Sequence, residues 1–584
     1  MNFYPYNKYK LIRSSNENII IEKPYLKIAC ILDDFSYQNL KYECDLIQLD
    51  IKNWIQVLQD ERPNLLLIES AWMGVNGDWY GKISSIDSKE GTTLQNVTEL
   101  CKRLQIPTVF WNKEDPYHFD EFIEAAKLFD YIFTTDENCI EKYKVFLQHD
   151  RVYTLPFAAQ IKTHNPINKE QKKIGNVAFA GAWYNIGHFH RKKNMKYILE
   201  PALKYNLHIY DRNYNYNNVY LDNYFRFPEI YHTFIKGYVP YEKIADLYKK
   251  YNIFLNVNSV DDSSTMFSRR VFELLACGIN VISSYSPGIE KTFPKIVKLP
   301  RTKEDTIKYL ELLIKDKEFR DRLSLLGERE IFNHHTYTLR LETILDKVGI
   351  NYKKPNTPGV SIITCIDKED NMEIIFKNYE RQLHKNKELI IIVNNNGINI
   401  NPWHNKYRDY KNIKIIQIGE KKSLVQCLNY AIEHSNLEYV AFFDDNYYGE
   451  NYLVDAVNAF KYSNADIVGK CSYYAYSENY QLLVIILPNI EDKYVKYVKF
   501  STMVIKKSVF EKLIFSEKSY RYDMEFLKNC VDKGFSIYAT DRFNYVCIRH
   551  ASSKQPTYKI EDGVSSGKIK IIGYTEDYIS TITV

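Results

Sequence analysis

The stretch that decides the fold reads Ser268-Arg269-Arg270-Val271-Phe272-Glu273-Leu274-Leu275-Ala276-Cys277-Gly278-Ile279-Asn280-Val281-Ile282-Ser283. Its first half predicts a short amphipathic helix that ends at Gly278, and Val281-Ile282 predicts a buried parallel strand. Another strand is predicted just upstream, at Ile253-Phe254-Leu255-Asn256-Val257-Asn258. Glu273 therefore lies at a strand–loop–helix junction, which is where ligands bind in open α/β sheets.

The residue types at this junction suit a nucleotide. A carboxylate such as that of Glu273 can accept hydrogen bonds from both hydroxyls of a ribose. A helix N-terminus together with Arg269 and Arg270 suits a diphosphate. The alternative is that Glu273 only stabilises the helix and that both arginines are solvated, because acidic residues are common in the first turn of a helix. The junction alone leaves both interpretations open.

Further motifs surround this junction, over roughly the first 350 residues. They read Trp111-Asn112-Lys113-Glu114-Asp115-Pro116, Phe129-Asp130-Tyr131-Ile132-Phe133-Thr134-Thr135-Asp136, Phe179-Ala180-Gly181-Ala182-Trp183-Tyr184 and Gly237-Tyr238-Val239-Pro240-Tyr241. By these motifs and their order, this part of the chain resembles the CgeB-type (spore maturation protein) glycosyltransferases, which have the GT-B fold.

The resemblance implies a donor site. Glu273 would hold the ribose of a sugar nucleotide, and Arg269 and Arg270 would bind its diphosphate. Gly181 would let the backbone approach the sugar or phosphate, and Asn256 is a further donor-binding candidate. Retaining GT-B enzymes often carry a second Glu eight positions before the ribose-binding one, where this chain has Thr265. The choice between a retaining and an inverting reaction therefore stays open.

A base for this cleft is sought in the first domain. Glu114, Asp115 and His118 follow a predicted strand, and structural roles are expected for two of the three. No metal is expected at this site, because basic side chains can neutralise the leaving diphosphate in its place.

The strand and helix pattern predicts an α/β protein with two Rossmann-like domains followed by a third α/β domain. The resemblances to known families imply that the first two domains have the GT-B arrangement and that the third is a GT-A (nucleotide-diphospho-sugar transferase) domain. The predicted boundaries are an N-terminal arm (1–25), an acceptor-side domain (26–168), a donor-binding domain (169–350), a polar linker with two prolines (351–359) and the GT-A domain (360–584).

The third domain resembles the family 2 glycosyltransferases, in which carboxylates at a strand end hold a divalent metal. The strand Tyr439-Val440-Ala441-Phe442-Phe443 ends in Asp444-Asp445-Asn446, so the resemblance implies a Mg²⁺ or Mn²⁺ site at these three residues. It also implies donor contacts at Asp367 and Asn396 and a general base at Asp523. The alternative for Asp523 is a helix N-cap.

This third site departs from the family pattern. Asn446 replaces an acid, which lowers the expected metal affinity, and Asn396 also stands where an acid is common. The family's C-terminal His-Thr-Trp corresponds to Pro556-Thr557-Tyr558, with His550 nearby. We therefore expect a weakened or acceptor-binding domain, and activity in this domain is kept as an alternative.

Composition excludes several other classes. A net charge of +5 over 584 residues gives no nucleic-acid footprint, and the ten cysteines form no C-x-x-C pair. The chain has no P-loop and no G-x-G-x-x-G motif, which disfavours an NTPase, a dinucleotide dehydrogenase and a sugar-nucleotide epimerase. The first residues lack an apolar signal core, and no stretch is long enough to span a bilayer, so a cytoplasmic location is expected, with peripheral membrane contact left open.

The expected function is transfer of a sugar from a nucleotide-sugar donor, with UDP as the expected nucleotide. The acceptor would be a glycan or a protein, for instance at the cell or spore surface. The rival from another class is a non-catalytic carbohydrate-binding or scaffold protein built from degenerate transferase modules.

Overall fold

The structure of the chain is a computed structural model that describes residues 22–84, 92–187, 189–215, 224–369, 371–419, 422–518, 520–550 and 560–584. Most of the predicted N-terminal arm (1–21) and Pro556 lie outside these ranges.

The first domain is built on a parallel sheet. Its strands are β1 (Lys27–Ile31), β2 (Asp45–Gln48), β3 (Leu65–Glu69), β4 (Thr108–Asn112), β5 (Tyr131–Thr134) and β6 (Val152–Thr154), in the order β2-β1-β3-β4-β5-β6. Its helices span Asp34–Leu40, Trp54–Glu61, Thr92–Leu104, Phe119–Ala126 and Ile140–Leu147. All five residues of β3 are buried, and alternate residues belong to two different core clusters. Both faces of the sheet are therefore covered, as a parallel sheet requires.

The second domain repeats this plan. Its strands are β7 (Gly175–Gly181), β8 (His208–Asp211), β9 (Ile235–Gly237), β10 (Tyr251–Asn256) and β11 (Asn280–Ser283), all parallel in the order β11-β10-β7-β8-β9. Its helices span Phe189–Ala202, Ile244–Tyr248, Arg270–Ala276, Pro287–Thr292, Lys303–Lys315, Lys317–His334 and Tyr337–Val348. The last of these helices returns to the first domain, because its Leu341, Ile344 and Leu345 pack in a core cluster of the first sheet.

The third domain has a mixed sheet in the order β14-β13-β12-β15-β21-β17-β22-β20. Its strands are β12 (Val360–Ile366), β13 (Lys387–Val393), β14 (Ile413–Gln417), β15 (Tyr439–Phe442), β17 (Ile467–Gly469), β20 (Lys493–Val495), β21 (Val504–Lys506) and β22 (Ile537–Ala539).

A smaller sheet of the third domain has the order β16-β23-β18-β19-β24. It consists of β16 (Tyr447–Tyr448), β18 (Tyr473–Ser477), β19 (Leu482–Ile486), β23 (Tyr545–Arg549) and β24 (Ile569–Tyr574). Helices of this domain span Asn371–Arg381, Asn401–Lys406, Leu424–Glu433, Tyr452–Ser463, Tyr522–Asp532, Ile560–Ser565 and Tyr578–Ile582. The α/β fold class with two parallel Rossmann-like domains and a GT-A-like third domain is thus confirmed.

The first two domains meet around a cleft at the carboxyl ends of their strands. Ser263 donates a hydrogen bond to Asp136 (2.6 Å), and Tyr117 donates one to the carbonyl of Ser259 (3.1 Å). All ten cysteines are free thiols. Within the described ranges, no helix combines the length and apolarity that crossing a bilayer demands.

Candidate functional site

The cleft between the first two domains has a volume of about 690 Å³, which is the size of a small-molecule site. Its first-domain wall comes from the loops after β1, β3 and β4. Its second-domain wall comes from the ends of β7 and β8, from residues 238–248 and from the start of the helix Arg270–Ala276. We call this seven-residue helix the arginine helix. Its flanking residue Arg269 and its first residue Arg270 both line the cleft.

Arg269 and Glu273 form an ion pair in the cleft wall. The Nε of Arg269 lies 3.2 Å from Oε1 of Glu273, and the guanidinium lies 3.8 Å from the ring centroid of Phe35 in the first domain. Tyr241 donates to Oε1 of Glu273 (3.0 Å), and Tyr248 donates to Oε2 (3.1 Å). Burial acts to raise the pKa of Glu273, but Arg269, His164, Arg270 and the hydrogen bond from Tyr241 together outweigh it and hold the pKa below its usual value.

Glu273, the residue expected to bind the ribose, therefore does not lie where that role would place it. Glu273 is buried (3% exposed) and is not among the residues that line the cleft. Both carboxylate oxygens are already used by the two tyrosines and Arg269. The contact with ribose stays a prediction, and the arrangement favours a role for Glu273 as the charge partner of Arg269.

The environment of Arg270 is the opposite of that of Glu273. It is half-buried and lines the cleft, and its guanidinium has no hydrogen-bond, ion-pair or ring partner in the part of the chain that the structure describes. The exposed Arg212, which follows β8, lines the cleft in the same unpaired state among the described residues. Unpaired guanidinium groups in a concave site are suited to phosphate oxygens, which they bind through paired N–H groups.

A second buried ion pair forms the first-domain wall. Lys113 pairs with Glu69 and hydrogen-bonds Ser36, and its ammonium lies 4.2 Å from the ring centroid of Phe35. Burial lowers the pKa of Lys113, although Glu69 opposes this shift. Phe35 thus contacts two cations, Lys113 and Arg269, whose charges are balanced by Glu69 in the cleft lining and by Glu273 behind it.

Gly181 and Asn256 were both predicted to contact the donor. Gly181 ends β7 and lines the cleft, and a Cβ there would lie 2.9 Å from Cζ of Phe179, so a larger residue would require the Phe179 ring to shift. Asn256 is fully buried instead. Its amide donates to Asn258 (3.1 Å) and to Ser283 (2.9 Å), which ties the end of β10 to β11. The structure contradicts the prediction for Asn256, because its side chain has no access to the cleft.

Of the three candidate bases, only Glu114 lines the cleft. Its carboxylate has no partner among the described residues. Asp115 is buried and accepts hydrogen bonds from Asn112 (2.9 Å), Thr134 (2.6 Å) and Tyr143 (3.1 Å). Burial raises the pKa of Asp115 to about 7. The structure thus contradicts a catalytic role for Asp115 in the cleft, because three neighbours already use its oxygens.

His118 stands outside the cleft lining. Its Nδ1 lies 3.0 Å from Oε1 of Glu121, and its ring packs edge-on against Trp72, which does line the cleft. Sequence reasoning did not assign Asp34, which lines the cleft after β1. Its position at a strand end was the signal that could have found it.

The strand end at β15 is closed by its own hydrogen bonds. Oδ1 of Asp444 accepts from the backbone of Asn446 (3.1 Å), from its amide (2.6 Å) and from Tyr448 (3.0 Å). The other end of the Asn446 amide accepts from the backbone N–H of Ile548 (2.7 Å). Burial raises the pKa of Asp444.

This arrangement leaves fewer groups for a metal than the sequence predicts, because a ligand must keep lone pairs free for the ion. Asn446 has both ends of its amide engaged, which contradicts its predicted role as a ligand. Asp445 faces His550, whose Nε2 lies 3.8 Å from Oδ2 of Asp445 and whose Nδ1 lies 3.1 Å from Glu478. Across the described residues, no group of three or more His, Cys, Asp or Glu side chains could hold a metal ion.

The other predicted residues of the third domain are more open. Asp367 and Asn396 are exposed at the ends of β12 and β13, joined by a hydrogen bond from Asn395 to the carbonyl of Asp367 (3.0 Å). Asp523 lies in the first turn of the helix Tyr522–Asp532. The N-cap is Arg521, so the alternative interpretation of Asp523 as the cap is wrong.

Two family models match the chain. Residues 191–346 match a model described as "Glycosyl transferase-like", and residues 361–514 match "Glycosyl transferase family 2". The first match contains the arginine helix, and the second contains the Asp444 strand end. A search among curated proteins found no match.

Solved structures with partial likeness include two forms of an S. aureus protein. TarS 1-349 shows 15% identity and a TM-score of 0.27, covering 32% of this chain and 60% of that one. The same protein in complex with UDP-GlcNAc shows 15% identity and a TM-score of 0.28, with 35% and 63% covered.

A mannosyltransferase from Pyrobaculum calidifontis in complex with GDP-Man and Mn2+ shows 15% identity and a TM-score of 0.27, with 37% and 66% covered. This chain therefore spans less than two thirds of each of these solved proteins, and their ligands are properties of those proteins. From its two family matches and its fold, the chain carries a GT-B-like glycosyl transferase domain followed by a family 2 glycosyltransferase domain.

Proposed function

We propose that the chain is a nucleotide-sugar-dependent glycosyltransferase whose donor binds in the cleft between the first two domains. The observation that carries this proposal is Arg270, an unpaired guanidinium in the wall of a cleft of about 690 Å³. Arg270 would bind the donor diphosphate, and Arg212 stands ready for a second phosphate or for the sugar. Glu273 would hold Arg269 in the wall, and Gly181 would admit the donor close to the backbone.

The chemistry follows from these charges. An acceptor hydroxyl attacks C1 of the donor sugar, the C1–O bond to the diphosphate breaks, and negative charge builds up on the leaving group. Cations fixed in a cleft stabilise that charge more than water does. In an inverting displacement, Glu114 would take the proton of the acceptor hydroxyl, because its carboxylate is unpaired and lines the cleft.

The finer parts of the proposal rest on the sequence. The first two domains would belong with the CgeB-type enzymes, the donor would be a UDP-sugar, and the acceptor a glycan or protein of the cell or spore surface. The enzyme would work in the cytoplasm, with peripheral membrane contact open. A family 2 domain is compatible with Mg²⁺ or Mn²⁺, but the bonds of Asn446 favour a third domain that contributes little to turnover.

A donor screen tests the proposal. Nucleotide release from UDP-, GDP- and CDP-sugars would be measured for the wild type, Arg270→Gln and Lys308→Gln. Lys308 is an exposed cation of the same domain outside the cleft, so its variant controls for lost charge. Loss of a charge-assisted contact costs about 1.5–3 kcal/mol, so Arg270→Gln should weaken donor use roughly 10- to 150-fold.

Release that is equal in Arg270→Gln and Lys308→Gln would contradict the cleft as the donor site. If none of the donors gives nucleotide release, with or without acceptors, the result would favour the non-catalytic scaffold.

A further inference from the structure

A buried charged cluster joins the second and third domains. The ammonium of Lys169 lies 2.7 Å from Oε1 of Glu328, 3.1 Å from Oγ of Ser324 and 3.1 Å from Oδ2 of Asp492. All four residues are buried. Asp492 comes from the third domain, and the other three come from the second. We call these four residues the brace cluster.

The brace cluster touches the end of the arginine helix. Ser324 donates a hydrogen bond to the carbonyl of Gly278 (2.7 Å). Gly278 has a positive φ of 69°, and a Cβ there would lie 2.3 Å from Oε1 of Glu328 and 2.8 Å from Cδ of Lys169. No other residue type fits this position. The C-terminal end of the arginine helix is therefore held directly against the cluster.

The other end of the same helix carries the cleft arginines. The helix has seven residues, so a rigid rod of about 10 Å separates Gly278 from Arg270. A shift or rotation at one end moves the other, because the backbone hydrogen bonds of a helix keep it stiff. The position of the guanidinium groups thus depends on what fixes Gly278.

The third-domain side of the cluster has a constrained backbone. The segment 487–492, between β19 and β20, has positive φ at Leu487 (49°), Asn489 (68°) and Asp492 (53°). The carbonyl of Asp492 accepts from the backbone N–H of Asn168 (2.6 Å), which itself has a positive φ of 63°. Asn and Asp adopt this conformation more readily than other non-glycine residues, whereas Leu487 holds it only because its surroundings enforce it.

We propose that the third domain braces the donor site: Asp492, through Lys169, Glu328 and Ser324, positions the arginine helix so that Arg269 and Arg270 face the donor diphosphate. This role rests on the proposed function of the cleft. The four brace residues are positioning residues, because none of them lines the cleft. This bracing role would also give the family 2 domain a function that needs no metal.

A neighbouring ion pair provides a matched control. Arg329 binds Asp455 of the third domain through two hydrogen bonds of 2.8 and 2.9 Å, and both residues are as buried as the brace pair. The pair joins the same two domains through the same helix, Lys317–His334. Among the described residues, neither side chain forms a hydrogen bond with the arginine helix.

The test is calorimetric titration with UDP, with GDP and CDP alongside, on the wild type and four full-length variants. Lys169→Met and Asp492→Asn break the brace, whereas Arg329→Met and Asp455→Asn break the control pair. Thermal unfolding of each variant measures the loss of stability. The brace variants should bind the nucleotide about 3- to 30-fold more weakly, the range for residues that act through a network. The control variants should lose similar stability and keep wild-type affinity.

Two milder variants keep the test decisive if Lys169→Met does not fold. Ser324→Ala removes only the hydroxyl that holds Gly278 and should weaken binding severalfold, while Lys169→Arg, which keeps the charge, should bind as the wild type does. Unchanged affinity in the brace variants, or equal loss in the brace and control variants, would overturn the brace. A wild type that binds none of the three nucleotides would instead overturn the proposed function, and the brace with it.

Discussion

Two strand ends of this chain carry the polar side chains that a sugar nucleotide calls for, and they are built in opposite ways. At the cleft, Glu273 is satisfied by Arg269 and two tyrosines, which leaves Arg270 without a partner among the described residues. After β15, Asn446 satisfies Asp444 and is itself satisfied by Ile548.

The difference shows how a ligand site can be distinguished from a strand end that has the same residue types but uses them within the fold. Both regions keep a motif of the right residue types. In the cleft, the ion pairs Arg269–Glu273 and Lys113–Glu69 hold the wall in place, and the guanidinium of Arg270 remains available to a ligand. At the other strand end, one carboxylate oxygen of Asp444 and both ends of the Asn446 amide are engaged in hydrogen bonds within the fold, so the predicted ligand Asn446 already has its partners.

The largest effect is expected from changing Glu114, the proposed general base in the cleft. Glu114→Gln should lower turnover about 10²- to 10⁴-fold, because it removes the carboxylate that takes the acceptor proton. Donor affinity should not change. Steady-state kinetics with a donor and acceptor pair from the screen would measure this, and His118→Gln is the matched control since His118 pairs with Glu121 outside the lining. Wild-type turnover in Glu114→Gln would show that another group, such as Asp34, is the base.

The paired half of the cleft wall can be tested through stability. Glu273→Gln leaves the partly buried Arg269 without its counter-charge, and the loss of a charge-assisted contact costs about 1.5–3 kcal/mol. The free energy of unfolding from denaturant titration should fall by that amount. Tyr248→Phe, which removes one hydrogen bond to the same carboxylate, should cost about 1 kcal/mol. Equal small losses in both variants would contradict the view that Glu273 holds the wall.

Asp115 predicts a pH dependence near the cleft. Its folded pKa of about 7 is raised by burial above the unfolded value of about 3.9. A raised pKa contributes stability that is fully present below the unfolded value and is lost as the pH rises through the folded one. Between about pH 4 and about pH 8, the wild type should therefore lose roughly 4 kcal/mol relative to Asp115→Asn. Thermal unfolding of both proteins at the two pH values measures this, and a constant difference would contradict the shift.

Restoring an acid at position 446, after β15, should have only a small effect on stability and metal binding. Asn446→Asp places a second carboxylate where the amide of Asn446 now donates to Asp444 at 2.6 Å. Without metal, the variant should lose about 1–3 kcal/mol of stability, because the hydrogen bond is replaced by repulsion. Mn²⁺ should recover part of that loss and should not stabilise the wild type. Thermal unfolding with Mn²⁺ or with EDTA distinguishes the cases, and an equal Mn²⁺ effect on both proteins would show that the native site already binds the metal.

Much of the architecture could be predicted because buried parallel strands appear as apolar runs. The predicted strands around Ile253, Val281 and Ala441 are all present, within one or two residues of their predicted ends. The strands that sequence reasoning missed include β2, β9 and β14. They lie at or next to sheet edges and are more exposed, so their apolar pattern is weaker.

The site was harder to predict than the fold, since a sequence motif does not show which polar groups satisfy each other. Arg269 and Arg270 are adjacent in the chain, yet one is paired with Glu273 and the other faces the cleft. Asn256 and Asp115 have the right residue types at strand ends, but both are buried, and neighbours use the amide nitrogen of Asn256 and the carboxylate of Asp115. The partner of Lys169 in the third domain is Asp492, more than 300 residues away in the chain, which no local pattern reveals.

The most direct test of the central claim compares the cleft and the predicted site of the third domain in one measurement. UDP-sugar would be titrated calorimetrically into Arg270→Gln, Asp523→Asn and the wild type, each with and without EDTA. We predict that Arg270→Gln weakens binding roughly 10- to 150-fold. Asp523→Asn and EDTA should each change the affinity and the rate of nucleotide release by less than about twofold, because neither touches the cleft. If EDTA abolishes binding and Asp523→Asn is inactive while Arg270→Gln behaves as the wild type, the third domain is the enzyme and the account is wrong.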